Sequence, residues 1–280
     1  KYVPIRNGLT YEEMAQFAVE RHRFRGVDLG VNLRRYYPFG ELTAHVVGYI
    51  GRINERELER IDKAAYAGTS HIGKTGLERF YEEQLHGDVG VQRVEIDAMG
   101  HIIRILETQP PVTGEDIQLH FDIELQKIAF EALGEHAGSV VVIDVKTGGV
   151  LAMASKPSFD ANLFVNGISF KDYNALRDDS GNPLFNRAIN GSYPPGSTVK
   201  PFIGLAGLET QTVNHVQSIY CPGHYRIKNA GRTFRDWKRT GHGTIDLEKS
   251  IEQSCDVYYY DLAYSMGIDK MHDYLAQFHF

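Results

Sequence analysis

Hydrophobic and polar positions change period several times along the chain. Thr10 and Glu13 form the pattern of a capping box, and Met14, Phe17, Ala18 and Arg21 follow at helical spacing, so a helix is predicted over residues 1–26. Residues 27–53 read as extended, with Val27, Leu29, Val31 and Leu33 alternating with polar or small residues. A charged helical stretch is predicted over 55–65, then a break at 68–70, then a helix over 75–87 carrying Leu77, Phe80, Tyr81 and Leu85 and closed by Gly87. Residues 89–121 alternate again until Pro110, Pro111 and Gly114 interrupt them, which places a domain boundary near 115. The second part opens with a helix over 123–136. A hairpin follows, with strands at 139–145 and 150–155 around Lys146-Thr147-Gly148-Gly149. Residues 156–196 are polar and turn-rich, and 218–243 read as loop. Two helices are predicted at the end, over 246–252 with Thr244 as N-cap and over 257–266 ended by Gly267.

The stretch Tyr193-Pro194-Pro195-Gly196-Ser197-Thr198-Val199-Lys200-Pro201 stands out between these elements. The apolar run Phe202, Ile203, Leu205, Ala206 and Leu208 predicts a helix after it. Pro201 lacks an N–H, so it fits without a kink only if that helix begins at about Ser197. Ser197 and Lys200 then share one face, one turn apart. The hydroxyl sits where the helix dipole favours developing negative charge, with an amine near enough to take its proton. A serine nucleophile can be built this way without histidine. A solvated helix bearing an ordinary serine and lysine fits the same four residues.

Composition narrows the classes. The chain has 280 residues, enough for one large or two ordinary domains, and 24% charged and 11% aromatic residues, the balance of a folded chain. The net charge is -6 and no dense Lys/Arg cluster stands out, which argues against nucleic acid as the main partner. No apolar run approaches the roughly 18–20 residues that span a bilayer, and the start carries no signal-peptide pattern. Two cysteines, Cys221 and Cys255, leave a disulfide, metal ligation and buried thiols all open.

Ser197-x-x-Lys200 and, at the junction of two predicted helices, Ser254-x-Asp256 resemble the first two motifs of penicillin-binding proteins and class A β-lactamases. The flanks sharpen the resemblance. NGSYPPGSTVKPF is similar to the acylation-site segment of class B penicillin-binding proteins, most of all the penicillin-binding protein 2 branch that serves cell elongation. RRYYPFGELTAHVVGYIGRI (34–53) and GKTGLERFYEEQLHGDVG (73–90) resemble the pedestal motifs of class B enzymes, and SVVVIDVKTGGVLAMASKPSFD resembles the opening of their transpeptidase domain. The resemblance implies an α+β chain: an extended, non-catalytic pedestal (dimerisation-type) domain over 1–115, then the first part of a serine β-lactamase-like α/β transpeptidase domain over 116–280. Lys74-Thr75-Gly76 and Lys146-Thr147-Gly148 both precede Ser197, so neither suits the third family motif, K-T-G, which is expected after Phe280. A membrane anchor is expected before Lys1.

The resemblance also implies roles. Ser197 would attack the peptide bond between the terminal D-alanines of a peptidoglycan stem peptide and hold the stem as an acyl-enzyme. Lys200 would act as base and Ser254 as proton relay. Asp256 stands where most relatives carry asparagine. A carboxylate accepts hydrogen bonds but does not donate them, and beside Lys200 it would favour the charged amine. β-Lactam antibiotics would acylate the same serine. Partners implied are a RodA-type glycosyltransferase and the scaffold MreC, at the periplasmic face of the inner membrane. Cys221, Asp236, His242 and Cys255 surround the second motif and suit zinc as a structural ion, with no cofactor needed for catalysis. A Cys221–Cys255 disulfide and free thiols stay open beside it. Two other functional classes compete with the transpeptidase: a penicillin-binding sensor or β-lactamase relative, and a non-catalytic docking module of the elongation complex.

Overall fold

The computed structural model describes residues 5–6, 8–30, 33–227 and 231–280. The chain divides into two compact units, 1–191 and 192–280. In the first, helix α1 (Tyr11–Glu20) begins at Thr10, whose side chain accepts from Glu13 N while Glu13 caps Thr10 N in return. The helix expected over 1–26 is thus shorter, and residues 1–4 and 7 lie outside the described residues. The extended reading of 27–53 is corrected as well. Val31 lies outside the described residues, but 40–42 form a 3₁₀ turn and Ala44–Val47 helix α2; only Ile50–Arg52 is strand β1. The reason is a helical stripe that the alternation concealed: Tyr37, Ala44 and Val47 pack against Phe159, Phe164 and Val165.

Helix α3 (Glu55–Leu58) is also shorter than the predicted 55–65, because the Asp62 carboxylate accepts from Ala64 N and turns the chain away. Strand β2 (His71–Gly73) pairs antiparallel with β1. The single helix expected over 75–87 is two, α4 (Gly76–Phe80) and α5 (Glu82–His86), broken at Tyr81. Glu82 reaches back to accept from Tyr66 Oη at 3.0 Å and Gly73 N at 2.7 Å. The alternating stretch folds as the hairpin β3 (Val91–Ile96) and β4 (Ile102–Gln109).

Helix α6 (Ile123–Ala132) is capped by Asp122 and stops short of the expected His136, where Gly134 turns the chain with φ +52°. It covers the hairpin β5 (Gly138–Ile143) and β6 (Val150–Lys156) through Ala129, Ala152 and Ala154. Gln126 is buried there and fully used, donating to Leu42 O and Met153 O and accepting from Met153 N. The stretch 156–196, read as turns, contains a 3₁₀ turn at 161–164 and helices α7 (Phe170–Asp178) and α8 (Arg187–Asn190). Ser169 N-caps α7, and the pair Ser169/Asp172 was its sequence signal.

In the second unit a 3₁₀ turn (Gly196–Val199) runs into helix α9 (Lys200–Glu209), with Pro201 in its first turn. The predicted loop 218–243 is instead built from three-residue strands. These are β7 (Ile219–Cys221), β8 (His224–Arg226), β9 (Thr233–Arg235) and β10 (Gly243–Ile245), with β7 paired to β10 and β8 to β9. Helix α10 (Leu247–Glu252) is capped by Asp246, because Thr244 is committed to β10 opposite Tyr220. Helix α11 (Asp256–Met266) ends at Gly267 and α12 (Ile268–Leu275) follows. Ala206, Ile245, Leu247, Val257, Tyr258 and Leu262 form the core of this unit. Helices α9 and α11 approach so closely that a Cβ on Gly207 would lie 2.8 Å from Leu262. Among the described residues no helix is long and apolar enough to cross a membrane.

Candidate active site

The entry into α9 presents Ser197, and the turn between α10 and α11 presents Ser254. Ser254 Oγ donates to Ser197 Oγ at 2.9 Å. Lys200 starts α9 and is buried, 7% exposed. Its Nζ donates to Ser254 Oγ at 3.1 Å, to Ser254 O at 2.7 Å and to Asp256 Oδ1 at 2.6 Å. Those acceptors use every donor of an ammonium group. The hydrogen bonds therefore run from Lys200 through Ser254 to Ser197. The Tyr259 ring lies 5.6 Å from Nζ and closes the buried side.

The turn that holds Ser254 is strained. Its φ of +52° is in the left-handed region, which costs a non-glycine residue about 1–2 kcal/mol. Two neighbours brace it. The Trp237 indole N–H donates to Gln253 O at 3.1 Å, and the Trp237 backbone N–H donates to Asp256 Oδ2 at 3.2 Å. Asp236 Oδ2 accepts from the backbone N–H groups of Asp256 at 2.8 Å and Val257 at 3.1 Å, the otherwise unpaired donors of the first turn of α11. Burial opposes ionisation of Asp236, but the N–H groups of Val257, Lys238 and Asp256 and the Cys255 thiol outweigh it and hold the carboxyl below its usual range. Trp237 was not among the site residues drawn from the sequence. A single tryptophan beside Asp236 was visible, but neither of its donor bonds was.

Cys221, Asp236, His242 and Cys255 converge behind this turn, with one ligand atom of each within 4.8 Å of the others. Contacts among them are long: Cys255 Sγ to Asp236 Oδ2 3.2 Å, Cys221 Sγ to the same oxygen 3.7 Å, and His242 Nδ1 to Cys221 Sγ and to Asp236 Oδ1 3.6 Å each. The cysteines are unbridged and buried, and burial pushes the Cys255 thiol up. His242 Nε2 is buried with no partner among the described residues. Two sulfurs, an imidazole and a carboxylate form a donor set that fits a four-coordinate zinc ion. The backbone brings them together at Gly241, whose φ is +79° and where a Cβ would sit 2.2 Å from Cys221 O.

A family model for the penicillin binding protein transpeptidase domain matches residues 138–280, and one for the penicillin-binding protein dimerisation domain matches 1–119. The chain belongs to the penicillin-binding protein transpeptidase family. Among its relatives, it is 47% identical over 278 residues to the peptidoglycan D,D-transpeptidase MrdA of Acinetobacter baumannii, covering 99% of this chain and 41% of that protein. To MrdA of Escherichia coli K12 it is 43% identical, covering 99% of this chain and 44% of the relative. The chain thus spans less than half the length of these relatives. Pseudomonas aeruginosa PBP2 in complex with WCK 5153 superposes with a TM-score of 0.79 at 46% identity, covering 88% of this chain and 51% of that one. PBP2 of Helicobacter pylori in complex with MreC superposes at 0.86 with 34% identity, covering 95% and 49%. Among the residues that the motifs single out in this penicillin-binding protein, Ser197, Lys200, Ser254 and Asp256 meet in one hydrogen-bonded chain, while Lys74 and Lys146 belong to the first unit.

Proposed function

We propose that this chain is the pedestal, 1–115, and the leading part, 116–280, of an elongation-type peptidoglycan D,D-transpeptidase, and that Ser197 is its acylated nucleophile. The observation that carries the reading is the continuous chain Ser197 Oγ–Ser254 Oγ–Lys200 Nζ with steps of 2.9 and 3.1 Å. In the first half-reaction, Ser197 Oγ attacks the carbonyl between the terminal D-alanines of a stem peptide. Its proton passes to Ser254, whose own proton passes to Lys200. That transfer requires the neutral amine of Lys200, so the ammonium first gives a proton to solvent. The hydroxyls turn until Ser197 donates to Ser254 and Ser254 donates to Nζ, the reverse of the present bonds. The Asp256 carboxylate is then open to a substrate amide N–H. The leaving D-alanine amine receives a proton back through Ser254. The amine of a second stem then attacks the acyl-serine and releases the cross-linked product. The Ser197 N–H, at the start of the 3₁₀ turn, supplies an oxyanion donor. β-Lactams take the place of the D-alanyl-D-alanine end.

Zinc held by Cys221, Asp236, His242 and Cys255 would fix the Ser254 turn from behind and play no part in the chemistry. The Helicobacter pylori relative solved in complex with MreC supports MreC as a partner. A RodA-type glycosyltransferase, the inner-membrane anchor and the periplasmic location belong to the same reading. Labelling the full-length protein with a fluorescent penicillin tests it. A covalent adduct is expected in the native protein and none in Ser197→Ala; an unlabelled native protein refutes the assignment.

A further inference from the structure

The hairpin β8–β9 is two-faced. Its register pairs Tyr225 with Phe234, and both rings pack toward Tyr260 of α11, at 6.2 and 5.6 Å, while Tyr225 Oη donates to Asp261. Strand alternation therefore sends His224, Arg226, Thr233 and Arg235 to the opposite face, and all of them are exposed. The chain then runs through Asp236 and Trp237, which grip the Ser254 turn, to exposed Lys238 and Arg239. The backbone at that bend is fixed, because Gly223 would place a Cβ 2.3 Å from Arg239 O. Arg226, Arg235, Lys238 and Arg239 form no ion pair with a described residue. Asp236 is the acidic residue of this segment, and it is buried, 3% exposed. In a chain of net charge -6, exposed cations without an ion-pair partner among the described residues thus line the segment that leads into the Ser254 turn. The sequence reading that no dense Lys/Arg cluster is present is corrected here: the segment is RTFRDWKR, and the strand pattern turns its charge outward.

We propose that this basic face docks the carboxylates of peptidoglycan strands and so steers acidic stem peptides to Ser197. The ligand's identity rests on the reading of Ser197 as a peptidoglycan acylation site. Stem peptides ending in D-alanine carry free carboxylates, and exposed guanidinium groups without ion-pair partners bind them at short range and raise their local concentration. An anionic membrane surface suits the face less well. Interfacial binding needs apolar side chains free to insert beside the cations. The hairpin rings Tyr225 and Phe234 are turned inward, and Trp237, though exposed, is tied through its indole N–H to Gln253 O.

The test is co-sedimentation of the full-length protein with purified sacculi, native or with their carboxylates amidated by carbodiimide and ammonia. At low ionic strength, amidation lowers the bound fraction at least about fivefold, and added salt does the same to native sacculi. The Arg226→Gln/Arg235→Gln/Arg239→Gln variant binds native sacculi as weakly as the unmodified protein binds amidated ones. Undiminished binding after amidation overturns the proposal without reference to any variant. Unaltered binding by the variant overturns it too, as does a variant that loses binding to phosphatidylglycerol vesicles while holding sacculi normally. Penicillin labelling of the variant reports its folding. Failure of labelling at Ser197 in the native protein would remove the catalytic reading and leave the sedimentation result standing.

Discussion

In the proposed mechanism Ser254 carries two loads that separate on mutation, proton relay and backbone strain. Ser254→Ala removes the hydroxyl that bridges Lys200 Nζ and Ser197 Oγ and leaves the φ of +52° in place. Ser254→Gly removes the same hydroxyl and relieves the strain. A positioned acid–base group contributes about 10²–10⁴ in rate, so both variants lose at least about a hundredfold in penicillin acylation. Their stabilities diverge. Relief of a left-handed non-glycine residue is worth about 1–2 kcal/mol, and the added freedom of glycine in the unfolded chain takes back about 0.5–1 kcal/mol. The glycine variant is therefore more stable than the alanine variant by about 0.5–1 kcal/mol. Stopped-flow acylation and thermal denaturation of both full-length variants measure the two effects. Acylation within tenfold of the native rate, or an alanine variant at least as stable as the glycine one, refutes the reasoning.

Leu262→Ala, at the contact of α11 with Gly207, is expected to cost about 2–5 kcal/mol, read from a denaturant midpoint; a loss below about 1 kcal/mol would mean the contact closes over the cavity. Metal analysis of protein purified without added zinc should find stoichiometric zinc, and chelation should lower the melting temperature and open Cys221 and Cys255 to thiol reagents. Metal-free protein with fully reactive thiols would remove the ion. Burial lowers the His45 imidazole below its ordinary value near 6.5, so the unfolded chain takes up the proton first as pH falls. Stability should drop as pH falls through about 6.5 toward the lowered value, and His45→Gln should flatten part of that slope; identical pH profiles would contradict the assignment.

The legible parts of the sequence were those where local chemistry and tertiary packing agree. Pro201 placed the start of the helix after Ser197 within one turn, because a missing N–H is a constraint independent of partners. Alternation found β3–β4 and β5–β6, whose strands of six to eight residues are long enough to carry the period. It missed β7 to β10, since three residues carry too little period to distinguish a strand from a loop. It misread 40–47, where the helical stripe is completed by Phe159 and Phe164 from far along the chain. Within the site, residue types were readable and directions were not. Trp237 gave no sign that both its N–H groups grip the Ser254 turn, whereas a contact of Asp256 with Lys200 was one its carboxylate allowed.

The most direct test of the central claim is peptide mapping by mass spectrometry of the full-length protein after brief exposure to benzylpenicillin. The account predicts one penicilloyl adduct, on the hydroxyl of Ser197. An adduct on any other residue, or intact protein without added mass, would contradict it.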